Sequence, residues 1–242
     1  MLPRFFVPDA KAAAVVELSD DEAHHLRHVL RLGVGDEVSV FDGAGHEWMA
    51  RVEAVKKRGV AVQLGAPVQP ASEPPVRVTL AVGILKGDQM DGVVRDATML
   101  GAAAIVPLVS DHVTVPSRVW QGERALDRWR RVAVASAKQC GRAVVPAIGP
   151  VVAYDRALDM PVDLRVCCVE PAHASAGAIQ PAGLPLPASA LVLVGPEGGW
   201  SAAEIERALR AGAEVLHLGP RTLRAETAPT VVLSALWTAW GW

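Results

Sequence analysis

The chain holds 242 residues, with 24 Lys+Arg against 26 Asp+Glu for a formal net charge of −2, and is 51% hydrophobic and 21% charged. That allows one large or two small domains with a sizeable core in a soluble globular protein, and no apolar run approaches the length needed to cross a bilayer. A nucleic-acid binder normally carries a basic footprint, so this balance leaves room for RNA only through a local patch.

The N-terminus, MLPRFFVPDAKAAAVV, lacks the basic, apolar and cleavage regions of a signal peptide, which points to the cytoplasm. Ser19–Leu32 reads as a short helix in which Ser19 is the cap and Glu22 completes a capping box. It carries His24, His25, Arg27, His28 and Arg31; Arg27 and Arg31 share a face with His24, and by themselves these residues favour a solvated face. Val38–Phe41, Trp48–Val55 and Val60–Leu64 have strand composition, with Asp42-Gly43 as a turn. Gly65–Pro75, with four prolines and no periodicity, reads as an interdomain linker, so domains are expected at residues 1–72 and 73–242.

Val76–Ile84 is a buried-strand pattern ending at Leu85-Lys86-Gly87-Asp88. A helix over roughly Met90–Leu100 and a strand over Ala104–Leu108 follow, a β-α-β order that signals a parallel sheet. Glu123–Arg142 reads as a long helix. Leu126, Trp129, Ala133, Ser136 and Cys140 mark its apolar face, and Arg124, Arg128, Arg131, Lys138 and Arg142 lie nearly opposite. Such a stripe is either a solvated face or a row of phosphate contacts. Five cations with no interleaved acid favour the second reading. Asp163–Val169 is another buried strand. Its adjacent Cys167 and Cys168 read as core; with Cys140 they fit a reducing compartment, and no Cys/His spacing suits a metal. Ser175–Ser189, rich in Ala, Gly and Pro, reads as a connector.

The next stretch carries the chemistry. Leu191–Val194 and Val215–Leu218 are strand-like runs, each followed by a Gly-Pro pair. After the first comes a loop with Gly195, Glu197, Gly198 and Gly199, then a helix with Ser201 and Glu204 in capping-box positions. The glycines make turns or let a ligand approach the backbone, and three within five residues favour the ligand. Neither G-x-G-x-x-G nor G-x-x-x-x-G-K-[ST] occurs, which disfavours a dinucleotide or nucleoside triphosphate. The second loop holds Arg221, Arg224 and Glu226. The helix after it, about Glu226–Trp240, is apolar almost all round, so neighbours or a partner subunit must bury it.

GPEGGWSAAEI and LGPRTLRAETA, in this order and about twenty residues apart, resemble the C-terminal signature of the SPOUT-class methyltransferases. More narrowly, they are similar to the bacterial small-subunit (16S) ribosomal RNA uracil-N3 methyltransferases, RsmE-type. LKGDQMDGVVRDATMLGAAAIVPL and AKQCGRAVVPAI resemble further signatures of that family, and HHLRHVLRLGVGDEVSVFDG resembles its N-terminal PUA-like domain. The family usually has lysine where Arg95 stands and glutamate where Met99 stands. The resemblance implies an α/β fold: a C-terminal SPOUT parallel-sheet domain with a trefoil knot, plus a small β-rich PUA-like domain. It implies S-adenosylmethionine as cofactor, a homodimer, and 16S rRNA or the small ribosomal subunit as partner, with no membrane and no metal. Val194, Gly195, Glu197, Gly198 and Gly199 fall on one side of the implied cofactor site, and His217, Leu218, Gly219, Arg221 and Leu223 on the other. Arg221, Arg224 and Glu226 are the catalytic candidates. The RNA-binding candidates are Arg4, Arg27, His28, Arg31, Lys86, Arg128, Arg131 and Arg142. Two alternatives stay open: methylation of another RNA position such as a ribose 2'-hydroxyl, and a non-catalytic RNA-binding assembly factor.

Overall fold

The computed structural model describes residues 2–57, 59–173 and 178–242. They form two compact units. One comprises Met1–Glu73 together with Val134–Val145; the other comprises Pro74–Ala133 and Pro146–Trp242.

The first unit is built on a five-stranded sheet of β1 (Arg4–Phe6), β2 (Val15–Glu17), β3 (Glu37–Phe41), β4 (Glu47–Val55) and β5 (Val60–Val68), in the order β1-β3-β4-β5-β2. Its interior is apolar, with Phe5, Leu26, Val38, Val40, Val62 and Leu64 almost fully buried. Strand β5 runs through Gly65–Val68, residues the sequence assigns to the linker. Pro67 is tolerated there because β2 pairs only with Ala61–Gln63, which leaves that end of β5 an edge with no amide required on its free side. The helix expected over Ser19–Leu32 is shorter: α1 spans Asp20–His24, and a π-helical turn follows over His25–Val29. Ser19 caps Glu22 as expected, but the capping box does not close. The Glu22 carboxylate turns instead to the Phe6 amide and the Lys138 ammonium.

The second unit carries a parallel sheet of β6 (Arg77–Gly83), β7 (Ala104–Val109), β8 (Ala147–Ile148), β10 (Leu164–Cys168), β11 (Ser189–Val194) and β12 (Glu214–Leu216), with β9 (Val152–Ala153) also paired to β7. The order β12-β10-β11-β6-β7-β8 inserts β11 between β10 and β6. The loops after these three neighbours therefore emerge side by side at the carboxyl ends of the strands, where open α/β sheets bind ligands. Helices α2 (Gln89–Met99), α3 (Ser117–Trp120), α4 (Glu123–Cys140), α5 (Tyr154–Leu158), α6 (Ala202–Arg210) and α7 (Ala228–Ala239) complete the chain. Gly141, at φ +83°, stops α4 short of the expected end at Arg142. Of the expected connector, residues 175–177 lie outside the described residues. Further on, Ile179 bridges to Leu216, and Pro181–Gly183 forms a 3₁₀ turn. Helix α7 is buried mainly by its own chain. Val232, Leu233, Leu236 and Trp237 are interior, it packs on α2, and the Trp237 indole donates to the Leu100 carbonyl. Among the described residues no helix is long and apolar enough to cross a membrane.

Candidate active site

A cavity of about 360 Å³ opens at the ends of β10 and β11. Three segments wall it: the end of β10 with the loop beyond (Cys168 to His173), the glycine loop after β11, and Leu218 to Ala228. Of the residues singled out from sequence, Val194, Gly195, Glu197, Gly199, Leu218, Arg221, Leu223, Arg224 and Glu226 line it together. Gln89, Glu170, Trp200 and Thr222 line it as well; Gln89, Trp200 and Thr222 lie within the family-like motifs without being site candidates, and Glu170 lies in none.

The glycine loop is held from several directions. Its helix, α6, begins with the expected capping box: Ser201 Oγ accepts from the Glu204 amide, and the Glu204 carboxylate accepts from the Ser201 amide. Glu204 is fully buried, and its other oxygen accepts from the Asp111 amide. Ser201 Oγ donates to Asp111 at 2.7 Å. The buried Trp200 donates its indole N–H to the Cys168 carbonyl, and its ring packs on Tyr154. Glu197 accepts from the Lys86 amide at 3.0 Å, and Gln89, with its amide nitrogen turned inward, donates to the same oxygen. The Glu197 carboxylate therefore ties the loop after β6 to the loop after β11. These bonds brace the loop at Glu197, Trp200 and Ser201 from three other segments.

The glycines have distinct reasons to be glycine. Gly199 sits at φ +66°, and a Cβ there meets the Glu170 carboxylate at 3.2 Å. A Cβ on Gly195 meets the Gly199 backbone at 3.2 Å. Gly198 does not line the cavity: a Cβ there meets the His112 Cβ at 2.8 Å, and its carbonyl lies 2.8 Å from His112 Nδ1. Its missing side chain makes room for protein, not for a ligand. His217 and Gly219 also lie off the cavity wall; His217 Nε2 faces the Gln180 amide nitrogen at 3.0 Å and so accepts from it.

Arg224 reaches into solvent, 84% exposed, with its guanidinium 3.8 Å from Glu226, which is 27% exposed. A pair so open adds little stability, so both groups are free to serve a ligand. Cys168 lines the wall as a neutral thiol, because burial pushes its pKa far up, as it does that of Cys167.

The RNA-binding candidates separate sharply. Arg4 is buried and donates from all three nitrogens, to both Glu47 oxygens and to the carbonyls of Ala137, Lys138 and Arg142. Arg142 is 4% exposed and bound to Glu73. Both are interior staples that tie residues 137–142 into the first unit, which corrects their assignment to an RNA surface. Arg27 spends its guanidinium on the carbonyls of Ala23, Lys56 and Lys57, whereas His28 and Arg31 are exposed. Lys86, Arg128 and Arg131 are exposed, and Arg128 pairs with Asp91. The row of unpaired cations expected on α4 is therefore shorter than it reads: Arg128, Lys138 and Arg142 find acids on other elements. Neither Arg95, which pairs with Asp96, nor Met99 lines the cavity.

The RNA methyltransferase domain family matches residues 72–237, and the RNA methyltransferase PUA domain family matches residues 18–65. A ribosomal RNA small subunit methyltransferase E from Synechocystis is 34% identical over 95% of this chain and 75% of its own length. Its namesake in Bacillus subtilis is 29% identical over 97% and 96%. Among solved structures, the ribosomal RNA small subunit methyltransferase E from Neisseria gonorrhoeae bound to S-adenosyl methionine superposes with a TM-score of 0.88. It is 30% identical and covers 99% of this chain and 98% of that one. A methyltransferase from Legionella pneumophila in complex with the bound cofactor SAM gives 0.90 at 29% identity, over 99% and 98%. With two thirds of its length matched by one domain family and nearly all of it by relatives of that kind, the chain belongs to the RNA methyltransferase family.

Proposed function

We propose that the protein is an S-adenosylmethionine-dependent methyltransferase acting on N3 of a uridine in 16S ribosomal RNA of the small subunit. The observation that carries this reading is the convergence of the glycine loop and the arginine loop on one cavity at the carboxyl ends of β10 and β11. The cavity suits the cofactor. Its 360 Å³ falls within the range of small-molecule sites, its walls include Leu218 and Leu223, and Glu170, Glu197 and Glu226 offer carboxylates to a cationic ligand. Val194, Gly195, Glu197, Gly199, Leu218, Arg221 and Leu223 hold the cofactor in this reading, whereas Gly198, His217 and Gly219 fix the loops from outside.

S-adenosylmethionine supplies a methyl group on a sulfonium, ready for displacement. The chain's own residues prepare the acceptor. Uracil N3 becomes nucleophilic only as its proton leaves and negative charge spreads to the ring carbonyls. Arg221 and Arg224 stabilise that charge as preorganised cations. Glu226 accepts the proton or fixes the Arg224 guanidinium at its 3.8 Å distance. The N3–methyl bond then forms as the carbon–sulfur bond breaks, with the braced glycine loop holding the alignment.

The first unit, residues 1–72 in this reading, is the PUA-like RNA-holding domain and presents His28 and Arg31; Lys86, Arg128 and Arg131 add contacts in the catalytic domain. The enzyme is cytoplasmic and works as a homodimer. Val231 and Ala235, one turn apart and only part-buried on α7, offer a stripe for the second copy. The C-terminal trefoil knot of the SPOUT class belongs to the same reading.

Titration calorimetry with S-adenosylmethionine, followed by transfer of labelled methyl to small subunits from cells lacking the modification, tests the proposal. Binding and transfer are expected. Binding without transfer to RNA would leave the assembly-factor alternative standing.

A further inference from the structure

A second cavity, of about 300 Å³, lies in the same unit on the other side of the loop after β6. Gln89 lines the first cavity, while its neighbours Gly87 and Met90 line the second, so one short segment is the wall between them. The second cavity has two chemistries. Trp120 and Trp129 contribute aromatic surface, and Arg124, Arg128 and Arg131 contribute positive charge.

The details fit a ligand with a flat ring and an anionic group. Trp120 is half-buried, and its indole donates to the Val115 carbonyl at 3.1 Å, which fixes the ring while leaving part of it open. Trp129 is 5% exposed and forms floor, not rim. The three arginines stand at i, i+4 and i+7 on one face of α4. Arg128 is held by Asp91, whereas Arg124 and Arg131 have no acidic partner among the described residues. The acids of the same helix are turned elsewhere: Glu123 and Asp127 both pair with Arg130, which does not line the cavity. The cavity thus combines an anchored indole with two uncompensated guanidiniums, and at its size it stands at the small end of the roughly 300–1,000 Å³ of ligand sites.

We propose that this cavity is an RNA subsite, taking one unstacked nucleotide of the substrate strand with its base against Trp120 and its phosphate between Arg124 and Arg131. This rests on the RNA methyltransferase function proposed above. Single-stranded RNA is bound by just this pairing of aromatic surface for the base and cations for the backbone. The shared wall places the subsite beside the methyl-transfer cavity, so a nucleotide seated there sets the register of the target uridine.

The test uses the full-length protein and small ribosomal subunits lacking the modification. Affinity is measured across a salt series, with methylation kinetics and S-adenosylmethionine affinity alongside. Trp120→Ala is expected to weaken subunit binding by about 5- to 150-fold without changing the salt slope, because stacking releases no counterions. Trp120→Phe is expected to restore most of that loss. Arg124→Gln combined with Arg131→Gln is expected to lower the slope by about 0.7, the share of the one phosphate the two arginines hold on a single strand. Cofactor affinity is expected to remain parental in all three, which also shows that they fold. Parental binding by Trp120→Ala, with the parent methylating normally, overturns the nucleotide subsite and leaves the enzymatic reading intact. A parent that neither binds nor methylates small subunits overturns both.

Discussion

Gly199→Ala is the smallest change that tests whether the glycine loop is the cofactor cradle. Two costs follow from the structure. At φ +66° an L-residue pays about 1–2 kcal/mol for the left-handed backbone. The added Cβ also stands 3.2 Å from a Glu170 oxygen, so that carboxylate must shift by a few tenths of an ångström into the cavity it lines. The backbone cost falls on folding, at about 2–4 °C per kcal/mol for a chain of this size. The Glu170 displacement falls on binding. S-adenosylmethionine at 100 times its Kd stabilises the parent by about 2.7 kcal/mol. If the variant's Kd rises 100-fold, the same concentration gives only about 0.4 kcal/mol. Thermal unfolding with and without cofactor, with calorimetric Kd values, separates the two. Glu170→Ala removes the contact but not the backbone cost, so against a Glu170→Ala background, which has already lost that carboxylate, Gly199→Ala is expected to cost less cofactor affinity than in the parent and the same φ penalty. A folded Gly199→Ala protein with the parental Kd would place the cofactor cradle elsewhere.

Three further outcomes follow. Glu47→Ala leaves the buried Arg4 guanidinium without its carboxylate and is expected to cost about 3–5 kcal/mol; calorimetry showing parental stability contradicts the staple. Burial disfavours the thiolate at Cys167, whose pKa is pushed up to about 12, and at Cys168 more strongly. In the folded protein both therefore stay neutral at ordinary pH, and iodoacetamide is expected to label only the half-exposed Cys140 until the chain unfolds or the pH nears that range. Arg224→Ala is expected to lower kcat by about 100- to 1,000-fold, with Arg224→Lys recovering only part. A rise confined to the KM for RNA would make Arg224 a binding residue.

The local parts of this architecture were legible in sequence, and the parts that depend on distant partners were not. The Ser201–Glu204 capping box lies within four residues, and the structure forms it as read. The same pattern at Ser19 closes only halfway, because Glu22 is drawn to Lys138, more than a hundred positions away. The cations on α4 read as a stripe without acids because helical spacing shows only the acids of the same helix; Asp91, Glu22 and Glu73 arrive from elsewhere in the fold. Strands β1 and β2 have three residues each, too few to show alternation. Glu170 joins the cavity through the parallel register of β10 and β11, which sets the loop after one strand against the loop after the other. No motif in its own stretch marks it.

Methyl transfer to uracil N3 in small-subunit RNA is read out by mass-spectrometric nucleoside analysis. Small subunits from cells lacking this protein are incubated with the purified enzyme and S-adenosylmethionine carrying a labelled methyl group, and the 16S RNA is digested to nucleosides. The label is expected in N3-methyluridine, absent before treatment and slowed by about 100- to 1,000-fold in the initial rate with Arg224→Ala. Label in a 2'-O-methyl nucleoside, or no label from a protein that binds the cofactor, would contradict transfer to N3.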